Sequence, residues 1–230
     1  MSAQSGATAI VSLGMSCQSS RQIRTHVETF SSILGEEFEP ERHFFDGLIS
    51  PISGLADLFD DGFQLFTRDA IQPGPGFPTW EPYGIRFLHH FRETDSSPEI
   101  DRFFEREKSK FSHLREKFVG LSEAERLIFV ISNSQNNLSD VALESRMPCI
   151  EFKQSQLERL MKAVDTFLDK RCEYLVVSHP ERHGGLPDEA IHIMKADETE
   201  WTGDKTQWRA LFQSYLSDAS DSYFCKANVR

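Results

Sequence analysis

Three polar residues near the start of the chain have types suited to nucleophilic acyl chemistry. Cys17 follows the apolar run AIVSLG and opens a polar stretch, SCQSSRQIRTHV, with Ser16 placed as a helix N-cap. A thiol in the first turn of a helix faces unpaired backbone N–H groups and the positive end of the helix dipole, which lower its pKa. The same N–H groups suit an oxyanion formed during acyl transfer. A nucleophilic thiol also needs a base, and that base needs an orienting group. His89, at the end of YGIRFLHHF, is the base candidate, and Asp46 in HFFDG is the orienter, with Asn133 in SNSQNNL as its substitute. Gly14, Gln18, His90 and Asn136 flank these positions and are assigned to substrate binding.

The elements that must position these groups are legible from hydrophobic periodicity. Residues 9–14 form a buried strand followed by a tight turn and a helix. Ile52, Leu55, Leu58, Phe59, Phe63 and Phe66 recur at helical spacing, as do Ile100, Phe103, Phe104, Phe111, Leu114 and Phe118, whose intervening charges read as a solvated face. Between them, QPGPGFPTWEP reads as an irregular loop and a lid, and YGIRFLHHF as a strand with Ile85, Phe87 and His89 on one face. RLIFVIS, EYLVVS and IHIMKA are strands, alternating with amphipathic helices at 155–168 and TQWRALFQSYL. Asp204 caps the second of these helices. Apolar strands between amphipathic helices imply a single α/β domain over residues 1–230, a mainly parallel sheet with helices on both faces in three layers. Function then collects beyond the carboxyl ends of the strands, where Cys17, Asn133 and His179 all fall.

Composition removes several function classes. The chain has 25 Lys and Arg against 36 Asp and Glu, a net charge of −11, which disfavours nucleic acid and anionic membrane surfaces. No stretch approaches the ~20 apolar residues that span a bilayer, and no basic segment precedes the first apolar run, so a cytoplasmic location is expected. Cys17, Cys149, Cys172 and Cys225 are scattered without metal-ligand spacing, so neither a metal nor another cofactor is expected, and the substrate is a small molecule or a peptide. Cys149 and Cys172 read as packed thiols, and Cys225 as part of a frayed tail. Of nineteen Phe residues, six fall in HFFDG, RFLHHF and DRFFE, where they suit either a crevice lining or a core.

SLGMSCQ, HFFDGLIS and YGIRFLHHF, in that order over the first half of the chain, resemble an uncharacterised bacterial family of papain-like cysteine peptidases. That family's pattern is SLGxxC, an FDW-like segment before a helix, and a tyrosine-led strand ending in HDF. WTGD at 201–204 extends the resemblance. The resemblance places Cys17 as nucleophile, His89 as base and Asp46 on the FDW aspartate. Gly47 stands where the family carries Trp and His90 where it carries Asp, so that Asp is not there to serve as a third member. Papain-type order, Cys then His then Asn or Asp, leaves Asp95 or Asn133 to complete a triad, and no Gln lies between Ser5 and Cys17 to serve an oxyanion.

Two other readings compete. In a serine esterase of the SGNH type, Ser16 or Ser12 attacks and His179 is the base, although the GDS and late DxxH motifs are missing. In a binding protein, the Asn cluster with Trp80 and Trp201 holds a sugar or nucleotide and Cys17 is only packed.

Overall fold

The computed structural model describes residues 8–93, 96–147, 149–187, 191–195 and 199–217. Asp95 and Cys225 lie outside them. The chain is α/β, with two sheets of four strands. In the first, β1 (Thr8–Met15), β6 (Arg126–Ser132), β7 (Glu173–Ser178) and β8 (His192–Ile193) run parallel in that order. The second, ordered β2 (Leu48–Ile49), β5 (Ile85–Phe87), β4 (Pro78–Trp80), β3 (Ile71–Pro73), is antiparallel and is inserted between β1 and β6. The expected parallel sheet is present, and the inserted antiparallel sheet is an addition to it. The strands of the inserted sheet are two or three residues long, and of them only β5, within YGIRFLHHF, is read from alternation in the sequence.

Strand alternation divides the parallel sheet's buried residues between two clusters. Val11, Leu13, Phe129, Ile131 and Val176 pack with α3 (Ile52–Asp60), α4 (Ile100–Gly120) and α6 (Gln154–Leu168). Ile10, Ile128, Val130, Leu175 and Val177 pack with α1 (Cys17–Thr25), α2 (Val27–Leu34) and α7 (Lys205–Ser217). A short α5 (Leu138–Glu144) follows β6. No helix among the described residues is long and apolar enough to cross a membrane.

The proline-rich segment 72–82, expected as a lid, is mostly the β3–β4 hairpin, with Pro73 opposite Pro78. Both prolines sit where a missing N–H costs little, one on an edge strand and one at a strand's first residue. Trp80, 2% exposed, packs on Phe66 and Tyr83 and is no ligand platform. The Phe clusters likewise fill the core. Phe44, Phe45, Phe63, Phe87 and Phe111 are fully buried in edge-to-face or stacked contacts, the geometry their ring quadrupoles favour.

One charge on α4 is not solvated. Glu107 lies in the buried stripe of the helix, and its Oε2 forms a triangle with His90 Nδ1 (3.0 Å) and Lys110 Nζ (2.6 Å), which are themselves 2.8 Å apart. Arg106 closes on Oε1 at 2.8 Å. Burial disfavours the charged carboxylate, but the His90, Lys110 and Arg106 contacts outweigh it and hold the Glu107 carboxyl well below its usual range. Burial pushes His90 down to about 4. Both depressions act in one direction: the unfolded chain binds more protons, through histidine below pH 6.5 and through Glu107 below about 4.5, so stability falls as pH falls. Glu107→Gln is expected to cost about 3 kcal/mol near neutrality, or about 6–12 °C in melting temperature for a chain of this size. The deficit narrows below pH 4.5 in thermal melts across a pH series.

Candidate active site

Helix α1 has a buried face made almost entirely of polar side chains. Gln18, Ser19, Gln22 and Ile23 point inward. Gln18 Nε2 donates to the Trp201 carbonyl (3.1 Å), and its Oε1 accepts from Ser134 Oγ (2.7 Å). Gln22 Nε2 donates to the carbonyls of Thr202 and Gly203. Two amides one helical turn apart thus hold the backbone of 201–203 against α1. Each buried carbonyl so paired avoids the desolvation penalty of an unsatisfied group. Gly203 makes the approach possible: its φ is +83°, and a Cβ there would stand 2.8 Å from Gln18 Nε2 and 3.0 Å from Trp208 Nε1. Asp204 then caps α7, its Oδ1 accepting from the N–H groups of Thr206 and Gln207.

The opposite face of α1 carries Cys17, Ser20, Arg21 and Arg24 at i, i+3, i+4 and i+7, and all four line an open cavity of about 500 Å³. Arg42, Asp46, Gly47, His89 and the 200–202 segment, with Glu200, Trp201 and Thr202, complete the lining. No Phe is among the lining residues, and Trp201, 43% exposed, supplies the broad ring. The structure therefore brings Cys17, His89 and Asp46 to one cavity from three separate segments.

The electrostatics differ from the expectation for a helix N-terminus. Burial pushes the Cys17 thiol up to about 11, and Asp46 adds to the rise, while its backbone N–H and Arg24 pull the other way. Cys17 is a thiol at neutral pH, because desolvation of the thiolate exceeds the stabilisation at the helix end. His89 is lowered by burial and by Arg92 and Arg42, so it is a neutral imidazole able to accept a proton. Its ring makes no hydrogen bond among the described residues. It also lies beyond β5, in a turn, so the alternation expected from Ile85 and Phe87 stops short of it.

Asp46 is not spent on a histidine ring. Its Oδ2 accepts from Arg24 Nη1 (3.0 Å) and from the His43 N–H (3.2 Å), closing the turn at 43–46. Burial nonetheless raises its pKa above the usual aspartate value. The role expected of Asp46 as an orienter is thus corrected to counter-ion of Arg24, which also donates to Ser20 Oγ (3.3 Å).

The remaining expected site residues lie off the cavity. Asn133 is a bracket at the ends of β6 and β7: Nδ2 donates to the carbonyls of Ile150 and Arg182, and Oδ1 accepts from Ser178 Oγ and His179 N–H. Every polar atom of that side chain is committed, so it cannot orient His89. Asn136 Oδ1 accepts from the Asn137 N–H within the same loop. Gly14 is packed against Ser50 and Leu55. Gln18 holds the 201 carbonyl instead of a substrate. His90 is 1% exposed behind Gly47, where a Cβ would meet its Nε2 at 3.7 Å. Gly47 itself has φ +80°, a conformation that penalises the Trp found there in the resembled family. The serine alternatives are buried as well: Ser16 caps α1, Ser12 Oγ bonds Ser19 Oγ (2.7 Å), and His179 is outside the cavity. Among the described residues no three His, Cys, Asp or Glu side chains group closely enough to hold a metal.

The residues missed in the sequence were Arg21, Arg24 and Ser20. The signal was present as C-x2-S-R-x2-R, a polar stripe at helical spacing from the cysteine. Arg42, Glu200 and Thr202 arrive from loops and carry no such signal. Comparison with protein-family models, curated proteins and solved structures finds no match, so the family resemblance rests on the three motifs alone.

Two outcomes check this geometry. Gly203→Ala, strained and crowded at once, is expected to lower stability by about 1–3 kcal/mol, read as a lower denaturant midpoint at unchanged slope. Alkylation of Cys17 by iodoacetamide, followed by peptide mapping, is expected to accelerate about tenfold per pH unit from 7 to 9, as the thiolate fraction does. A rate already level at pH 7 would reveal a preformed thiolate–imidazolium pair instead.

Proposed function

We propose that the chain is a cysteine-dependent hydrolase or acyl transferase, with Cys17 as nucleophile and His89 as general base. The observation that carries this reading is the meeting of a first-turn helical cysteine and a neutral, unbonded histidine on the wall of one open cavity. A protonated thiol and a neutral imidazole set the order of events. A substrate carbonyl enters above Cys17, His89 takes the thiol proton, and the sulfur forms a bond to the carbonyl carbon. The oxyanion is held by free N–H groups of the first turn of α1. Of these, Gln18 N–H makes only a long 3.4 Å bond to Ser16 Oγ.

Collapse of the tetrahedral species breaks the bond to the leaving group, which takes the proton from His89. Water, or another acceptor, is then deprotonated by His89 and attacks the thioester, returning Cys17 as a thiol. Transfer to an acceptor and hydrolysis differ only in this last step. The peptidase designation of the resembled family is one case of the same chemistry.

The test uses 4-nitrophenyl acetate as a generic acyl donor. Cys17→Ala is expected to abolish turnover and the acetylated protein species seen by intact mass spectrometry. His89→Ala is expected to lower kcat/KM about 10²–10⁴-fold. Because His89 is depressed below 6.5, the acidic limb of the kcat/KM profile is expected below that pH and is lost in His89→Ala. Acetyl transfer that survives Cys17→Ala undiminished would sink the reading.

A further inference from the structure

The cavity is electropositive in a chain that is not. Three guanidinium groups, those of Arg21, Arg24 and Arg42, face two carboxylates there, against a net charge of −11 for the whole chain. The pairing within the cavity is uneven. Arg24 is neutralised by Asp46, and Glu200 accepts a hydrogen bond from Thr202 Oγ1 (3.2 Å) within the 200–202 segment. Arg21 and Arg42 have no ion-pair or hydrogen-bond partner for their guanidinium groups among the described residues. Arg21 on α1 and Arg42 in the segment after α2 both line the cavity with exposed, uncommitted guanidinium groups, which leaves the cavity able to accept an anion.

We infer that the acyl substrate carries a carboxylate, which docks on Arg21 and Arg42 while its scissile carbonyl lies at Cys17. This inference rests on the thiol-dependent reading above and adds the substrate class. Arg21 stands four residues, one helical turn and about 6 Å along the axis, beyond Cys17. The docked carboxylate is therefore a few bonds away from the carbonyl under attack. Paired planar forks suit the two oxygens of a carboxylate. Trp201, 43% exposed in the lining, supplies apolar surface for the connecting chain, and the neighbouring Glu200 disfavours a carboxylate at that part of the cavity. A dicarboxylic monoester and an acidic peptide share this arrangement.

The test compares two esters of similar acyl length in the full chain, 4-nitrophenyl hydrogen glutarate and neutral 4-nitrophenyl pentanoate. Wild-type protein is expected to prefer the glutarate ester at least tenfold in kcat/KM, and the preference is expected to shrink as salt rises. In the Arg21→Gln/Arg42→Gln double variant the ratio falls to about one, and in the corresponding double Lys variant part of it returns, because charge is kept without the fork. A peptide nitroanilide series with Glu, Asp or Gln at the acyl side separates a peptide source from a small ester. A wild-type ratio at or below one overturns the inference. So does tighter competition by inorganic phosphate than by glutarate. Calorimetric binding of glutarate to Cys17→Ala keeps the two proposals apart. If ester turnover proves independent of Cys17, glutarate binding that disappears in the double variant still supports the anion site, and no binding overturns it.

Discussion

Two glutamine amides hold the functional end of this molecule together. Gln18 and Gln22, one turn apart on α1, tie down the carbonyls of 201–203, and the wall carrying Glu200, Trp201 and Thr202 exists only because that backbone is fixed to the helix. The arrangement demands much of its neighbours. Gly203 must have no side chain, Ser132 and Ser134 must satisfy the Gln18 carbonyl oxygen, and Asp204 must start α7 immediately afterwards. With the inner face of α1 devoted to amide contacts, Cys17, Ser20, Arg21 and Arg24 are left to line the cavity along one line of the helix.

Burial, more than the helix dipole, sets the charge state of the site. Cys17 has the backbone donors that favour a thiolate, yet the desolvation of its position and the nearby Asp46 keep the proton on sulfur. His89 is depressed by the same burial and by Arg42 and Arg92. In the reaction proposed above, this combination of neutral thiol and neutral imidazole in one cavity lets proton transfer wait for substrate, with His89 as the base. It also keeps an unoccupied cysteine from reacting with adventitious electrophiles.

The adjacent histidines show how sharply position within one turn decides role. His89 lines the cavity, and its ring makes no hydrogen bond among the described residues. His90 is driven inward between Phe87 and Phe111 and held by Glu107 and Lys110 on α4. That second cluster ties the small antiparallel sheet to the long helix through charges inside an aromatic core, where leaving any member unpaired is costly. Its Nε2 ends at Gly47, so the rigid backing of the cavity wall and the stability of the α4 packing are one structure.

The sequence by itself determined the periodic elements and the nucleophile candidate. β1, β6, β7, α3, α4, α6 and α7 all appear as apolar runs or stripes, and the strand, N-cap and helix around Cys17 are contiguous, so local physics is enough to read them. The stripe of α4 even passed through Glu107, though a charge there looked like surface until His90 and Lys110 supplied its partners. Only the tertiary structure decided which polar groups share a cavity. Asn133 and Cys17 both follow strands, yet one became a backbone bracket, because four hydrogen-bonding groups of distant segments converge on its amide. Asp46 turned toward Arg24, and Arg42, Glu200 and Trp201 arrived from loops separated by more than a hundred residues. Hydrophobic periodicity encodes burial, which is a property of one segment. Polar partnership is a property of pairs, and it is settled only when the chain has closed around them.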